Sequence, residues 1–152
     1  MKQLLTEWRK FLVEGEVKYS GILKIKLDSA IVADIQRFQE DLKKDEEGAI
    51  MLPEKALHVT LIHQSILEPH RKQVKDMEFP SSPDVILGDK IIEKTSPEKK
   101  SWVVELKNQD EMRNYVATVM ASLGSENTNP EPDRVFHISL ANLTGDPKDS
   151  VR

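Results

Sequence analysis

Two nine-residue stretches, PEKALHVTL at residues 53–61 and PDRVFHISL at residues 132–140, match position for position in kind: proline, acid, base, two apolar residues, histidine, β-branched residue, hydroxyl, leucine. The elements ahead of them keep step, because Leu23 lies 35 residues before His58 and Trp102 lies 35 residues before His137. A unit repeated over that span is a duplicated supersecondary structure. Two such halves pack about a pseudo-twofold axis, which brings the repeated strands to equivalent places beside a shared cleft.

Within each stretch the chemistry follows from strand geometry. Side chains at i and i+2 of an extended chain share a face, so His58 lies with Thr60 while Leu57, Val59 and Leu61 point away. His137 and Ser139 repeat the arrangement. One such strand alone reads as a histidine satisfied by a local hydrogen bond on a half-solvated sheet. Two copies, each with its hydroxyl, offer a cleft two imidazoles and two alcohols.

The surrounding pattern predicts an α/β (α+β) fold with two lobes, each a small antiparallel sheet carrying helices, in a single domain duplicated over about 19–68 and 100–143. Leu4, Leu5, Trp8, Phe11 and Leu12 recur at one-turn intervals, predicting a leading helix over 2–13. GILKIKL alternates as a strand; Asp28 and Ser29 then cap a helix whose stripe of Ile31, Val32, Ile35, Phe38 and Leu42 runs to about Lys44. A polar loop leads to the first histidine strand. The second half repeats the order: SWVVELKN as strand, a helical stripe from Met112 to Leu123 stopping at Gly124, a polar loop, and RVFHISLANL as strand. Between the halves, a short helix over 69–77 and a strand over 85–92 interrupted by Gly88 are expected.

Composition narrows the function. A chain of 152 residues holds one domain with a real core. There is no apolar run near the ~18 residues of a membrane span, no signal-peptide pattern, and no cysteine for disulfides, thiolate zinc sites or thiol nucleophiles. The expectation is a cytoplasmic protein without membrane contact. A net charge of −4 repels long nucleic acids but leaves room for a small anionic ligand at a local cation cluster, for which Lys24, Lys26, Lys55 and Arg134 are candidates. Tyr19 and Trp102, at the starts of equivalent strands, are candidate stacking platforms for a base. A zinc site is not expected: strand parity points His63 away from His58, His70 has no helical partner, and no cofactor motif is present.

An imidazole pair with two hydroxyls suits phosphodiester chemistry. One imidazole removes a proton from the attacking oxygen, the other protonates the leaving oxygen, and the hydroxyls hold the nonbridging oxygens. The paired His-x-Thr and His-x-Ser on a duplicated α/β chain resemble the two-histidine (2H) phosphoesterases. The N-terminal helix followed by VKYSGILKIKL is most similar to their phage anti-CBASS branch, which degrades cyclic di- and trinucleotide messengers of bacterial antiphage defence. The resemblance implies His58, Thr60, His137 and Ser139 as the catalytic quartet. It further implies opening of 3′–5′ linkages without a metal, a 2′-hydroxyl nucleophile with a 2′,3′-cyclic phosphate intermediate, and work in the host bacterial cytoplasm. Tyr19, Trp102, Lys24 and Lys26 are then the substrate-binding candidates. Left open are which histidine is base and which acid, the preferred nucleotide and the oligomeric state. The alternatives are an RNA-end enzyme acting on 2′,3′-cyclic or 2′–5′ phosphates, and a nucleotide sponge that turns nothing over.

Overall fold

A computed structural model describes residues 16–151, so the helix expected over 2–13 lies outside the described residues. Among the described residues, seven strands form two antiparallel sheets. The first has the order β1-β2-β4, with β1 at Glu16–Tyr19, β2 at Leu23–Lys26 and β4 at His58–Ile62. The second has the order β3-β7-β6-β5, with β3 at Ile50–Met51, β5 at Leu87–Thr95, β6 at Lys100–Leu106 and β7 at His137–Asn142. The chain is therefore the mixed α/β, two-lobed structure with antiparallel sheets that its pattern predicts.

Each lobe joins an antiparallel strand pair through a helix. Helix α1, Ser29–Asp45, connects β2 to β4, and its Asp28 carboxylate accepts a 2.9 Å hydrogen bond from the Ile31 N–H, satisfying a donor that the first turn leaves orphaned. The helix α4, Gln109–Ser122, connects β6 to β7 and buries Met112, Tyr115, Val116, Val119 and Met120. Gly124 follows at φ +73°, a left-handed position that ends the helix with little steric cost only for glycine. The repeat holds at the level of register. His58 pairs with Lys26 and Thr60 with Lys24, while His137 pairs with Glu105 and Ser139 with Val103. Both members of each pair are displaced by 79 positions (137 − 58 and 105 − 26; 139 − 60 and 103 − 24).

Three features depart from the expected elements. A strand, β1, forms a hairpin with β2 around Gly21 at φ +89°, and the loop after α1 contains the two-residue β3, which pairs with β7 of the other lobe. The short helix expected over 69–77 is α3 at Arg71–Lys75, and ahead of it stand a 3-10 turn at Glu68–His70 and a further short helix, α2 at Gln64–Leu67, that the pattern does not predict. Gly88 falls where the β5–β6 register is irregular, and a Cβ there would stand 2.5 Å from the Glu105 carbonyl oxygen, so the backbones approach too closely for any other residue.

The core lies between sheets and helices, with Leu23, Ile25, Val59, Leu61, Val104, Ile138 and Leu140 each at 1% exposure or less. At the seam, β4 and β7 lie side by side. Two devices tie the lobes there. Gln39, buried on α1, donates to the carbonyls of Leu52 at 3.1 Å and Leu140 at 2.9 Å, and the Leu52 N–H also donates to Leu140. From the other side, the Arg134 guanidinium donates to the carbonyls of Leu61, at 2.7 Å, and Thr60 while resting on the Phe136 ring. Leu61 and Leu140 are equivalent in the repeat. The same strand carbonyl is satisfied by a neutral amide and a backbone N–H in one place and by a cation in the other.

Candidate functional site

Because His58 and Thr60 alternate with the buried Val59 and Leu61, and His137 and Ser139 with Ile138 and Leu140, both strands turn their polar residues out of the core. All four side chains line one cleft of about 380 Å³, within the size range of small-molecule sites. Around them stand Lys99, Arg134 and Lys148, and among the described residues no carboxylate lines this cleft. The molecule is acidic overall and locally basic here, which favours an anionic ligand.

The two imidazoles are held differently. His58 Nδ1 lies 2.7 Å from the Ala56 carbonyl, and since a carbonyl only accepts, that nitrogen carries the proton. Its Nε2 then accepts from the Thr60 hydroxyl at 3.0 Å. His137 Nδ1 lies 3.3 Å from the Val135 carbonyl and 3.4 Å from Lys94 Nζ. Burial is the main cause that lowers the pKa of both rings. For His58 the Ala56 hydrogen bond opposes it and Lys24 adds to it. For His137 the lowering reaches about 4, because Lys94, Arg134 and His63 add positive charge while the Val135 hydrogen bond opposes them.

The other candidates divide. Lys24 stands opposite Thr60, with Lys18 opposite it in turn, and is close enough to act on His58. Lys26 pairs with His58 in register but its side chain lines a separate groove with Glu54 and Lys55, so the four cations read as one cluster do not form one. Trp102 is a correction. It is 3% exposed, in the core between Glu93 and Ala141, with no ring face open to a base. Tyr19 is a second correction: it pairs with the fully buried Leu23 and packs against the core rather than lining the cleft. His63 is a third. Strand parity directs it away from His58, but β4 ends at Ile62, and His63, one residue beyond the reach of that parity, lines the same cleft, 4.0 Å from Glu131.

One wall of the cleft was not read from the sequence. After β7 the chain turns at Gly145, φ +79°, and residues 147–151 fold back beside Ser139. Asn142, fully buried, pins this return by donating to the Asp146 carbonyl at 2.6 Å and to Ser150 Oγ at 3.1 Å. The Val151 N–H donates to buried Ser101 at 2.6 Å, and Lys99 donates to the Lys148 carbonyl at 3.0 Å. The signal was present in NLTGDPKDS, an asparagine ending a strand before Gly and Pro, which is turn chemistry.

Among the described residues no group of three or more histidine, aspartate or glutamate side chains is placed to hold a metal ion, and no helix is long and apolar enough to cross a membrane. No family model matches the chain, and no curated protein matches it. Among solved structures, that of TT0787 from Thermus thermophilus is similar with a TM-score of 0.46 at 14% identity, over 82% of this chain and 74% of that one.

Proposed function

We propose that this chain is a phosphodiesterase of the two-histidine type, acting without a metal on 3′–5′ linkages of cyclic di- and trinucleotide messengers, and serving a phage against CBASS defence in the host cytoplasm. The observation that carries the chemistry is the convergence of His58, Thr60, His137 and Ser139, from strands far apart in sequence, on one basic cleft. The resemblance of the N-terminal sequence, VKYSGILKIKL above all, carries the choice of substrate.

In this reading a phosphodiester lies between the rings. One imidazole Nε2 takes the proton of the ribose 2′-hydroxyl as the O2′–P bond forms, the P–O5′ bond breaks, and the other imidazole gives its Nε2 proton to the departing O5′. The product is a linear nucleotide ending in a 2′,3′-cyclic phosphate. Thr60 and Ser139 hydroxyls donate to the nonbridging oxygens, and Lys99, Arg134 and Lys148 balance the charge that develops there.

The test is incubation of the purified protein with a panel of cyclic and linear oligonucleotides, with products read by mass. Cleavage of cyclic di- or trinucleotides, unchanged by excess chelator and blocked by a 2′-deoxy linkage, is the expected result. Turnover confined to RNA ends or 2′–5′ linkages would move the substrate class. Tight binding with no turnover would make the protein a sponge.

A further inference from the structure

The cleft has two unlike ends. Arg134, ahead of β7, reaches the carbonyls of Thr60 and Leu61 in β4, while Leu52, ahead of β4, reaches Leu140 in β7. The two strands therefore run antiparallel, and Thr60 and Ser139 lie toward opposite ends. Duplication predicts equivalent ends, but the chain continues differently beyond each strand. At the Ser139 end, fully buried Asn142 pins the return of residues 147–151, which walls the cleft. The equivalent residue at the Thr60 end is His63, offset by the repeat (142 − 63 = 79), and there the chain leaves as α2 instead of folding back.

What the first half leaves open is a second groove of about 560 Å³. His63 and Arg134 line both spaces and form the threshold between them. Beyond it stand Ser65 of α2 and Lys94 of β5. Lys94 lines the groove and not the cleft, so its ammonium meets His137 Nδ1, 3.4 Å away, from the groove side. An ammonium has three donors, and that contact uses one at most. Two carboxylates also line the groove. Glu131 lies 4.0 Å from His63 and 3.9 Å from Arg134, which offset its charge, and Asp133 is exposed, where water and salt screen it. Ile66 and Pro132 add apolar surface.

We propose that this groove is a second nucleotide subsite: with the scissile diester between His58 and His137, the next phosphate of a cyclic di- or trinucleotide lies against Lys94, Ser65 and His63, and its nucleoside covers Ile66 and Pro132. This rests on the phosphodiesterase reading of the cleft. A cleft of about 380 Å³ is near the lower end of the range for small-molecule sites, so a ligand of two or more nucleotides needs room beyond it. The wall beside Ser139 leaves that room on the His63 side. A ring turns back on itself and needs one open end, whereas a strand threading the cleft needs two.

The experiment is isothermal titration with two ligands that lack the 2′-hydroxyl nucleophile: the 3′–5′ cyclic dinucleotide of 2′-deoxyadenosine, and the linear dinucleoside monophosphate of the same nucleoside, which has one diester and no second phosphate. The unaltered protein binds the ring more tightly by about tenfold or more, the scale of one charge-assisted hydrogen bond. Ser65→Trp, which fills the groove from an exposed position, and Lys94→Gln each remove most of that preference. Equal affinities in the unaltered protein, a preference that survives both substitutions, or losses that fall equally on both ligands would overturn the subsite. Cleavage of the ribose ring compound alongside any of these leaves the phosphodiesterase reading standing. A preference lost in both variants, in a protein that cleaves no ribose compound, upholds the subsite and refutes the phosphodiesterase reading instead.

Discussion

The two copies of the histidine motif occupy the same register in their sheets, yet they sit in unequal electrostatic company. His58 is held by a short carbonyl bond and a hydroxyl, with one lysine acting at a distance; His137 has a longer carbonyl contact, a touching ammonium, and the Arg134 guanidinium nearby. The cross-strand neighbours are of opposite sign, Lys26 beside His58 and Glu105 beside His137. Duplication places two equal groups symmetrically, but acid–base catalysis needs them in unequal protonation states. Here the repeated backbone supplies the placement and the unrepeated side chains supply the inequality.

Removing either ring is the largest perturbation of that pair. His58→Ala and His137→Ala should each lower kcat for a cyclic dinucleotide by about a hundredfold or more, the usual scale for a general acid or base, with ligand binding retained. The double variant should be little worse than either single one, because the two protons move in one step. The limbs of the pH profile should separate them: the variant whose residual activity loses the acidic limb lacks the base, and the one that loses the basic limb lacks the acid.

The inequality should also appear in stability, without any substrate. Because the folded-state pKa of His137 is depressed to about 4, the unfolded chain binds a proton that the folded chain refuses at pH values between there and the ordinary histidine value of about 6.5. Stability contributed by the neutral ring is therefore complete above that range and lost as pH falls through it, by about 3 kcal/mol in all. Urea unfolding at pH 7.5 and 4.5 measures it. His137→Asn should flatten much of the slope, and His58→Asn should flatten it too, from the same direction of shift.

How much of this is legible in the sequence depends on whether a feature is local. The candidate quartet follows from period-two geometry and one repeat, so His58, Thr60, His137 and Ser139 stand out from nine letters twice over. The helices follow from their stripes and caps. What the sequence does not show depends on tertiary placement: β3, which is two residues long and gains its partner from the other lobe; the C-terminal wall fastened by Asn142; and Lys94, whose importance lies in where β5 carries it. His63 is misplaced by strand parity because the parity is extended one residue past the strand. Trp102 is misread as a platform although the repeat itself holds the answer, since its equivalent, Leu23, is plainly a core residue.

The motif's basic position gives a further contrast, because Lys55 and Arg134 are equivalent in the repeat but only Arg134 binds across the seam. Its side chain is 12% exposed and donates to two strand carbonyls, Leu61 and Thr60. Arg134→Met should cost about 2–3 kcal/mol, the range for losing charge-assisted hydrogen bonds to buried acceptors, read as a lower urea midpoint. Lys55→Met, at the exposed equivalent, should leave the midpoint nearly where it was. Equal losses at the two positions would mean that the seam is not where Arg134 acts.

The smallest effect is expected at Trp102, and it bears on which face of the second lobe meets ligand. The ring is buried, Lys100 Nζ lies 5.1 Å from its centroid, and its Nε1 is buried with no hydrogen-bond partner among the described residues. Trp102→Phe therefore has opposing consequences: it removes packed ring atoms, which destabilises, and it removes an unsatisfied N–H, which relieves a penalty of about 1–3 kcal/mol. The net change in unfolding free energy should stay within about 1 kcal/mol. Affinity for a cleft ligand, by isothermal titration, should not change. Were Trp102 a stacking platform, the phenyl ring would still weaken binding measurably and stability would be untouched. Constant affinity is what a second-lobe counterpart of Leu23 requires.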